Sequence, residues 1–278
     1  MYTLNCKGKL LSIEKPIVMG IINVTPDSFY DGNAQLSDTD ILNKAKQMVA
    51  EGADILDIGG QSTRPGSIRL SPDEELQRVI PAIQLIKQEI PEAIISIDTY
   101  QSEVAQFSVK VGASIVNDIS FGELDPKMLK TVSMLKVPYI GMHMKGSPEI
   151  MQEDPFYEDV MEEILDFFIQ KSEQCKHLGI DDLIIDPGFG FGKTLDHNYE
   201  ILRNLHTFQI LGRPILTGLS RKSMIYKVLE TDAENALNGT TVLNTLALQN
   251  GASILRVHDV KAAVETIKLV STYKNAAP

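Results

Sequence analysis

Gly52-Ala53-Asp54-Ile55-Leu56-Asp57-Ile58-Gly59-Gly60 is the stretch that decides the fold. A glycine suited to the left-handed residue past a helix is followed at once by a short apolar run of strand length. The same joint recurs as Gly112-Ala113-Ser114-Ile115 and Gly251-Ala252-Ser253-Ile254. Outward from these joints, apolar runs stand at Ile17–Val24, Ile55–Gly60, Ile94–Thr99, Ser114–Ser120, Pro138–Met144, Leu183–Pro187, Pro214–Ser220 and Ile254–Asp259. Helical periods fill the intervals, as in Asp40–Glu51, Asp73–Ile90, Tyr157–His177 and Ala233–Gln249. In Asp73–Ile90 the residues Leu76, Val79, Ile80, Ile83 and Ile86 form one apolar stripe. Eight βα units without a linker-like break predict a single α/β domain over residues 1–278, a (β/α)₈ TIM barrel. An open doubly wound sheet is the alternative that periodicity leaves standing.

Composition narrows the function. The chain has 278 residues, 43% of them hydrophobic, enough for a full core. Its 26 Lys and Arg against 37 Asp and Glu give a net charge of −11, which argues against nucleic acid as a general partner. Cys6 and Cys175 stand far apart with no CxxC, which excludes a zinc ribbon or a thioredoxin-type redox centre. No window has the length and hydropathy of a membrane span, and Met1–Lys15 lacks a signal-peptide pattern. The expectation is a cytoplasmic protein, mature from residue 1, with no membrane partner.

Polar residues gather where the runs end, which is where a barrel places its chemistry. They are Asn23, Asp57, Asp98 with Thr99, Asn117 with Asp118, His143, Asp186, Ser220-Arg221-Lys222, and Arg256 with His258. One such residue is easily a helix cap or a turn former; a set at every run is harder to explain that way. The loops Thr25–Gly32 and Gln61–Ser67 are rich in Gly, Pro and polar residues, and are expected to be exposed and mobile. Phe29 and Tyr30 in the first suggest a lid over an aromatic substrate, or else rings tucked against the rim. Pro187-Gly188-Phe189-Gly190-Phe191-Gly192-Lys193-Thr194 is not a phosphate loop, because Pro187 stands where its first glycine is needed. Its glycines are expected to let backbone pass close to a flat ligand below Asp186, with Lys193 solvated. Ser220-Arg221-Lys222-Ser223, opening a helix beside Arg256 and His258, is the better anion site. His177, His197 and His206 lack zinc-site spacing, and His197 reads as a surface residue.

Several of these segments resemble the signatures of the dihydropteroate synthase family. They are Met19–Phe29, Asp57–Gly66, Ile97-Asp98-Thr99, Val116–Ile119, Asp186–Lys193, Gly218–Ser223 and Arg256–Asp259, in the family's order and spanning most of the chain. Gln61 departs from the Glu more usual in the family, within an otherwise intact Ser62-Thr63-Arg64-Pro65-Gly66. The chain is too short to carry the pyrophosphokinase fused to some members.

The resemblance implies a TIM-barrel transferase of folate synthesis and a sulfonamide target. The reaction would join 6-hydroxymethyl-7,8-dihydropterin diphosphate to 4-aminobenzoate with Mg²⁺. Asp98, Asn117, Asp186 and Met142 would bind the pterin, with Lys222 on a ring heteroatom and Arg256 over a face. Asn23, Arg256 and His258 would hold the diphosphate, and Asn23 the metal. Phe29, Pro65 and Phe191 would wall the aminobenzoate; Thr63, Lys222 and Ser223 would line its polar side. Asp31, Arg64, Lys222, Arg256 and His258 are the implied catalytic set, in a reaction where diphosphate leaves before the amine attacks. A homodimer is also implied, and the apolar residues Leu237, Val242, Leu246, Val264 and Ile267 suit either an interface or a buried barrel face. A methyltetrahydrofolate-binding methyltransferase would share the pterin-reading residues but not the basic cluster. A non-catalytic pterin binder would need neither that cluster nor Thr63 and Arg64.

Overall fold

The computed structural model describes residues 1–25, 37–62, 69–147, 151 and 155–276. It opens with an antiparallel hairpin, β1 (Tyr2–Cys6) and β2 (Lys9–Ile13). Eight strands follow: β3 (Ile17–Asn23), β4 (Ile55–Gly59), β5 (Ile95–Asp98), β6 (Ile115–Asp118), β7 (Tyr139–Met142), β8 (Leu183–Asp186), β9 (Leu216–Thr217) and β10 (Ile254–Val257). They pair in the order β8-β7-β6-β5-β4-β3-β10-β9, all parallel. A parallel bridge between Ile185 and Ile215 joins β8 to the approach to β9. The sheet therefore closes, as the barrel expectation required and an open sheet would not.

Helices alternate with these strands: α1 (Asp38–Glu51), α2 (Pro72–Glu89), α3 (Ser102–Val111), α4 (Met128–Leu135), α5 (Val160–His177), α6 (Leu195–Arg203), α7 (Ser223–Tyr226), α8 (Leu237–Gln249) and α9 (Val260–Asn275). A short 3₁₀ helix occupies Leu205–Leu211. Ser37 and Ser71 begin α1 and α2 with capping boxes completed by Asp40 and Glu74, satisfying N–H groups the helix leaves open. Gly52, Gly112 and Gly251 all have positive φ, so the three sequence joints are one repeated backbone device.

Strand alternation explains how the barrel acquires a closed end and a reactive end. Ile55, Ile115, Ile184 and Ile254 point inward and pack with Met19, Ile140 and Leu216. Their chain neighbours Leu56, Val116, Ile185 and Leu255 point outward and pack with helix residues such as Met48, Ile83 and Val260. Two residues further along, the inward face reappears as Asp57, Asn117, Asp186 and Arg256. The barrel interior thus turns from apolar to ionic within one pleat, at the C-terminal ends of the strands.

The hairpin was not legible in the sequence, where Met1–Lys15 reads only as a start of mixed polar and charged residues. Its Leu4, Cys6 and Ile13 join the inward isoleucines and plug the apolar end. Full burial of such a side chain is worth roughly 1.5–3 kcal/mol. Its polar edge is tied down as well: Asn5 N–H donates to Asp182 Oδ2 at 2.8 Å and Lys7 Nζ to the Val109 carbonyl at 2.7 Å. Among the described residues no helix is long and apolar enough to cross a membrane.

Candidate active site

The ionic end of the barrel is organised around Arg256 on β10. Its Nε donates to Asp57 Oδ2 at 2.7 Å, and its NH2 nitrogen donates to Asp98 Oδ2. Asn117 Nδ2 donates to the same Asp57 oxygen at 3.2 Å. Asp57 is wholly buried, so one carboxylate on β4 orients side chains from β6 and β10. Sequence reasoning placed Asp57 at a strand end but gave it no role. Its signal was the inward Ile-x-polar pattern that it shares with Asn117, Asp186 and Arg256.

These charges shape one another. Burial works against the Arg256 charge, but Asp57 and Asp98 more than offset it and hold the guanidinium above its ordinary pKa. Burial pushes Asp98 up to about 7 against the pull of Arg256, helped by the negative charges of Asp57 and Glu75. Arg256 therefore stays charged, and Asp98 protonates far more readily than an exposed carboxylate. The resemblance puts Asp98 on the pterin edge and Arg256 on the pterin face and the diphosphate; in this structure the two are also each other's partners.

Asp186 ends β8 beside this network. Its Oδ1 accepts from Gly188 N–H at 2.8 Å. Burial raises its pKa, and Lys222 is the main influence lowering it. Lys222 Nζ donates to the Phe189 carbonyl at 2.5 Å and stands 4.8 Å from the Phe191 ring centroid. Burial lowers its pKa to about 8, with Asp186 opposing. Phe191 also borders an apolar cluster of Tyr100, Ile119 and Met142. Tyr100 and Ile119 pack beside Met142 and Phe191 but are not singled out by the sequence, since an apolar residue after a strand looks like ordinary core.

His258 lies at the rim. Its backbone N–H donates to Ser220 Oγ at 3.2 Å, and its Nδ1 lies 3.0 Å from the same oxygen. His258 is exposed by surface area, yet the protein packed around its ring desolvates the charged form, and this, then the positive charges of Arg256 and Lys44, lowers its pKa from the usual imidazole range. Lys44, on α1, is a basic neighbour that nothing in the sequence connected to this corner. Lys222 and His258 both feel the positive charge of Arg256, Lys222 with Asp186 and Asp98 opposing it and His258 with Lys44 adding to it.

Other expectations need correction. Arg221 is no anion ligand: it forms a bidentate pair with Asp259, at 2.8 and 2.9 Å, and donates to the Ala233 and Glu234 carbonyls. The helix opened by Ser223 is α7, a single turn of 4 residues, too short to focus a dipole on a phosphate. Ser223 itself is half-buried at its start. Lys193 is not solvated; it is 3% exposed and bonded to His143 and Phe191. Gly188 and Gly192 pass close to the backbone that follows β7: a Cβ on Gly188 would stand 2.0 Å from the His143 carbonyl oxygen, and one on Gly192 2.1 Å from that of Lys145, whereas one on Gly190 would meet only Lys222 Cδ, at 3.5 Å. His143 points outward, its ring centroid 4.9 Å from that of Phe167 on α5. His197 lies in the first turn of α6, in keeping with its reading as a surface residue, and completes the helix cap, its Nδ1 accepting from Thr194 N–H at 3.2 Å. Of the proposed interface residues, Ile267 is buried and Val264 packs on the core, while Leu237, Val242 and Leu246 on α8 are exposed.

Asn23 sits at the end of β3, in register with Gly59 on β4, which pairs in turn with Asp98 on β5. A Cβ on Gly59 would lie 3.5 Å from Asn23 Oδ1 and 3.5 Å from Asp98 Cβ. The missing side chain therefore leaves open the space that the Asn23 oxygen borders. Among the described residues no group of three or more His, Cys, Asp or Glu forms a metal cage. One amide oxygen fits Mg²⁺, which is commonly held by few protein oxygens together with substrate phosphates. Phe29, Asp31, Thr63, Arg64 and Pro65 lie outside the described residues.

The pterin binding enzyme family matches residues 19–258. Dihydropteroate synthase of Escherichia coli strain K12 is 45% identical over 273 residues, covering 97% of this chain and 96% of that protein. The Bacillus subtilis enzyme of the same name is 42% identical over 264 residues, covering 94% and 90%. The Yersinia pestis dihydropteroate synthase, solved with a sulfonamide drug, superposes with a TM-score of 0.94 at 39% identity over 99% of this chain and 100% of that one. The Xanthomonas albilineans enzyme with 4-aminobenzoic acid gives 0.92 at 38% identity, covering 99% of each. The sequence signatures, the closed barrel and these full-length likenesses agree: the chain belongs to the dihydropteroate synthases of the pterin-binding enzyme family.

Proposed function

We propose that the barrel mouth joins 6-hydroxymethyl-7,8-dihydropterin diphosphate to 4-aminobenzoate, releasing 7,8-dihydropteroate and diphosphate, by a path in which diphosphate departs first. The observation that carries this reading is Arg256, a half-buried cation that donates to Asp57 and Asp98 and whose charge is felt at His258. A pterin is flat and presents a row of N–H donors along one edge. Asp186 accepts from that edge in the manner of a carboxylate meeting a guanidinium fork. Asn117, already oriented by Asp57, and Asp98 read the rest, while Met142 and Ile119 wall the ring.

An arylamine is a weak nucleophile, so loss of the leaving group is the demanding event. The methylene C–O bond breaks with its electron pair going to the diphosphate, and the pterin ring nitrogens delocalise the positive charge left on carbon. Arg256 and His258 meet the negative charge that grows on the leaving oxygens. Mg²⁺ bound through Asn23 and the diphosphate would supply further charge neutralisation. The amine nitrogen then forms the C–N bond and loses its proton to solvent. Phe191, Lys222 and Ser223 take the amine's side of the mouth; Phe29 and Pro65 as further wall, Thr63 as a further polar contact, Asp31 as counter-charge to the pterin cation and Arg64 in the catalytic set are carried by the family resemblance alone. The same wall would accept a sulfonamide, as the drug in the Yersinia pestis structure suggests.

We further propose that the partner is a second copy of this chain, meeting through the exposed Leu237, Val242 and Leu246 of α8. Light scattering that gives a monomer mass at micromolar concentration would refute that part. The central test mixes purified protein, Mg²⁺ and both substrates and follows dihydropteroate and diphosphate together. Absence of either product, from folded protein, would overturn the reading.

A further inference from the structure

The Gly-Phe-Gly-Phe-Gly-Lys segment ends in a buried lysine that the proposed chemistry does not use. Lys193 Nζ lies 2.9 Å from the Phe191 carbonyl oxygen, 3.2 Å from that of His143 and 3.1 Å from His143 Nδ1. The rest of the turn is held just as fully. Lys222 takes the Phe189 carbonyl, Tyr157 OH donates to the Gly192 carbonyl at 2.9 Å, and Asn198 Oδ1 accepts from Gly190 N–H at 2.7 Å. Glycines at 188 and 192 let the turn lie directly on the β7 exit. Burying an ammonium group is costly, and a buried carbonyl needs only a neutral donor. A lysine here calls for a reason beyond satisfying one acceptor.

That reason lies in what its contacts join. Phe191 stands over Lys222, and its ring borders the Met142 cluster. His143 is the residue after Met142, at the tip of β7. Lys193 thus ties the backbone that carries Phe191 to the backbone that carries Met142. We infer that Lys193 is a positioning residue for the second substrate: it fixes the Phe191 wall against the β7 tip and so sets the width of the slot that receives the aromatic amine. The inference rests on the proposed reading of Phe191 as the aminobenzoate wall.

Lys193→Met keeps the length and apolar volume and removes the three N–H donors. At saturating pterin diphosphate and Mg²⁺, this variant should raise KM for 4-aminobenzoate about tenfold, equivalent to about 1.4 kcal/mol. Its kcat should change by less than about threefold, because the leaving-group corner is untouched. The decisive comparison is a cycle with Phe191→Ala, since residues acting through one another are not additive. Where Phe191 is already alanine, Lys193→Met should add less than about twofold. An unchanged KM in Lys193→Met, or the same factor in both backgrounds, would overturn the inference while leaving the Phe191 wall intact. A wild-type KM in Phe191→Ala would instead overturn the wall, and the inference with it. A purely structural lysine would lower the melting temperature without moving the KM of the folded enzyme. If Lys193→Met does not fold, Lys193→Gln, which keeps an N–H donor, takes its place in the cycle with an expected rise of about threefold.

Discussion

Arg256→Ala removes the group on which the ionic end of the barrel depends, and the structure allows both consequences to be sized. The first is stability. Arg256 is 19% exposed and is the ion-pair partner of the fully buried Asp57 and of Asp98. Removing one member of a buried pair costs about 3–5 kcal/mol, because the other charge stays buried. For a chain of this size that lowers the melting temperature by on the order of 10 °C. The Asn117 contact to Asp57 survives and moderates the loss.

The second consequence is rate. If diphosphate gains charge as the bond breaks, Arg256 interacts more strongly with the transition state than with the ground state. Removing one preorganised donor of this kind costs about 3 kcal/mol, roughly a hundredfold or more in kcat. Single-turnover measurements at saturating substrates and 20 °C, below the lowered melting point, separate rate from affinity. Arg256→Lys should recover only part of the rate, since an ammonium cannot span Asp57 and Asp98 as the planar fork does. A wild-type chemical rate in Arg256→Ala would refute the reasoning and move the leaving-group role to His258 or Asn23.

Three further expectations follow from the same site. Asp186→Asn presents an amide donor to the donor edge of the pterin and loses a charge-assisted contact worth about 1.5–3 kcal/mol, so calorimetry should show binding of the pterin diphosphate weakened tenfold or more; unchanged binding would remove Asp186 from pterin recognition. With Asp98 raised to about 7 and Lys222 lowered to about 8, kcat/KM for the pterin substrate should fall at lower pH as Asp98 takes a proton, and at higher pH as Lys222 loses one. Asp98→Asn should abolish the acid limb, and an acid limb that persists in it belongs to another group. Finally, 4-aminobenzoate should bind free protein poorly and bind well once diphosphate and Mg²⁺ are present; equal affinity with and without them would argue against ordered binding.

Much was legible in the sequence because it is written locally. A glycine just past each of three helices, followed by an apolar run, reports a backbone conformation that depends on only a few neighbouring residues. The run ends were rich in polar groups, and side chains two apart share a strand face. Arg256, Asp98, Asn117 and Asp186 could therefore be assigned to one end of a barrel. What sequence spacing could not reveal was which side chains meet across the closed sheet. Asp57 and Arg256 are 199 residues apart in the chain, yet they form the buried pair at the centre of the site. Arg221 looked like an anion ligand until Asp259 was found to occupy it. Lys193 looked solvated because a lysine usually is. Closure of the barrel, the hairpin plug and the burial of Lys193 are set by long-range packing, where the partner that neutralises or exposes a charge comes from a distant strand. Local periodicity carries the elements and their order; only the closed sheet decides which of their polar ends become partners, and so which remain for a substrate.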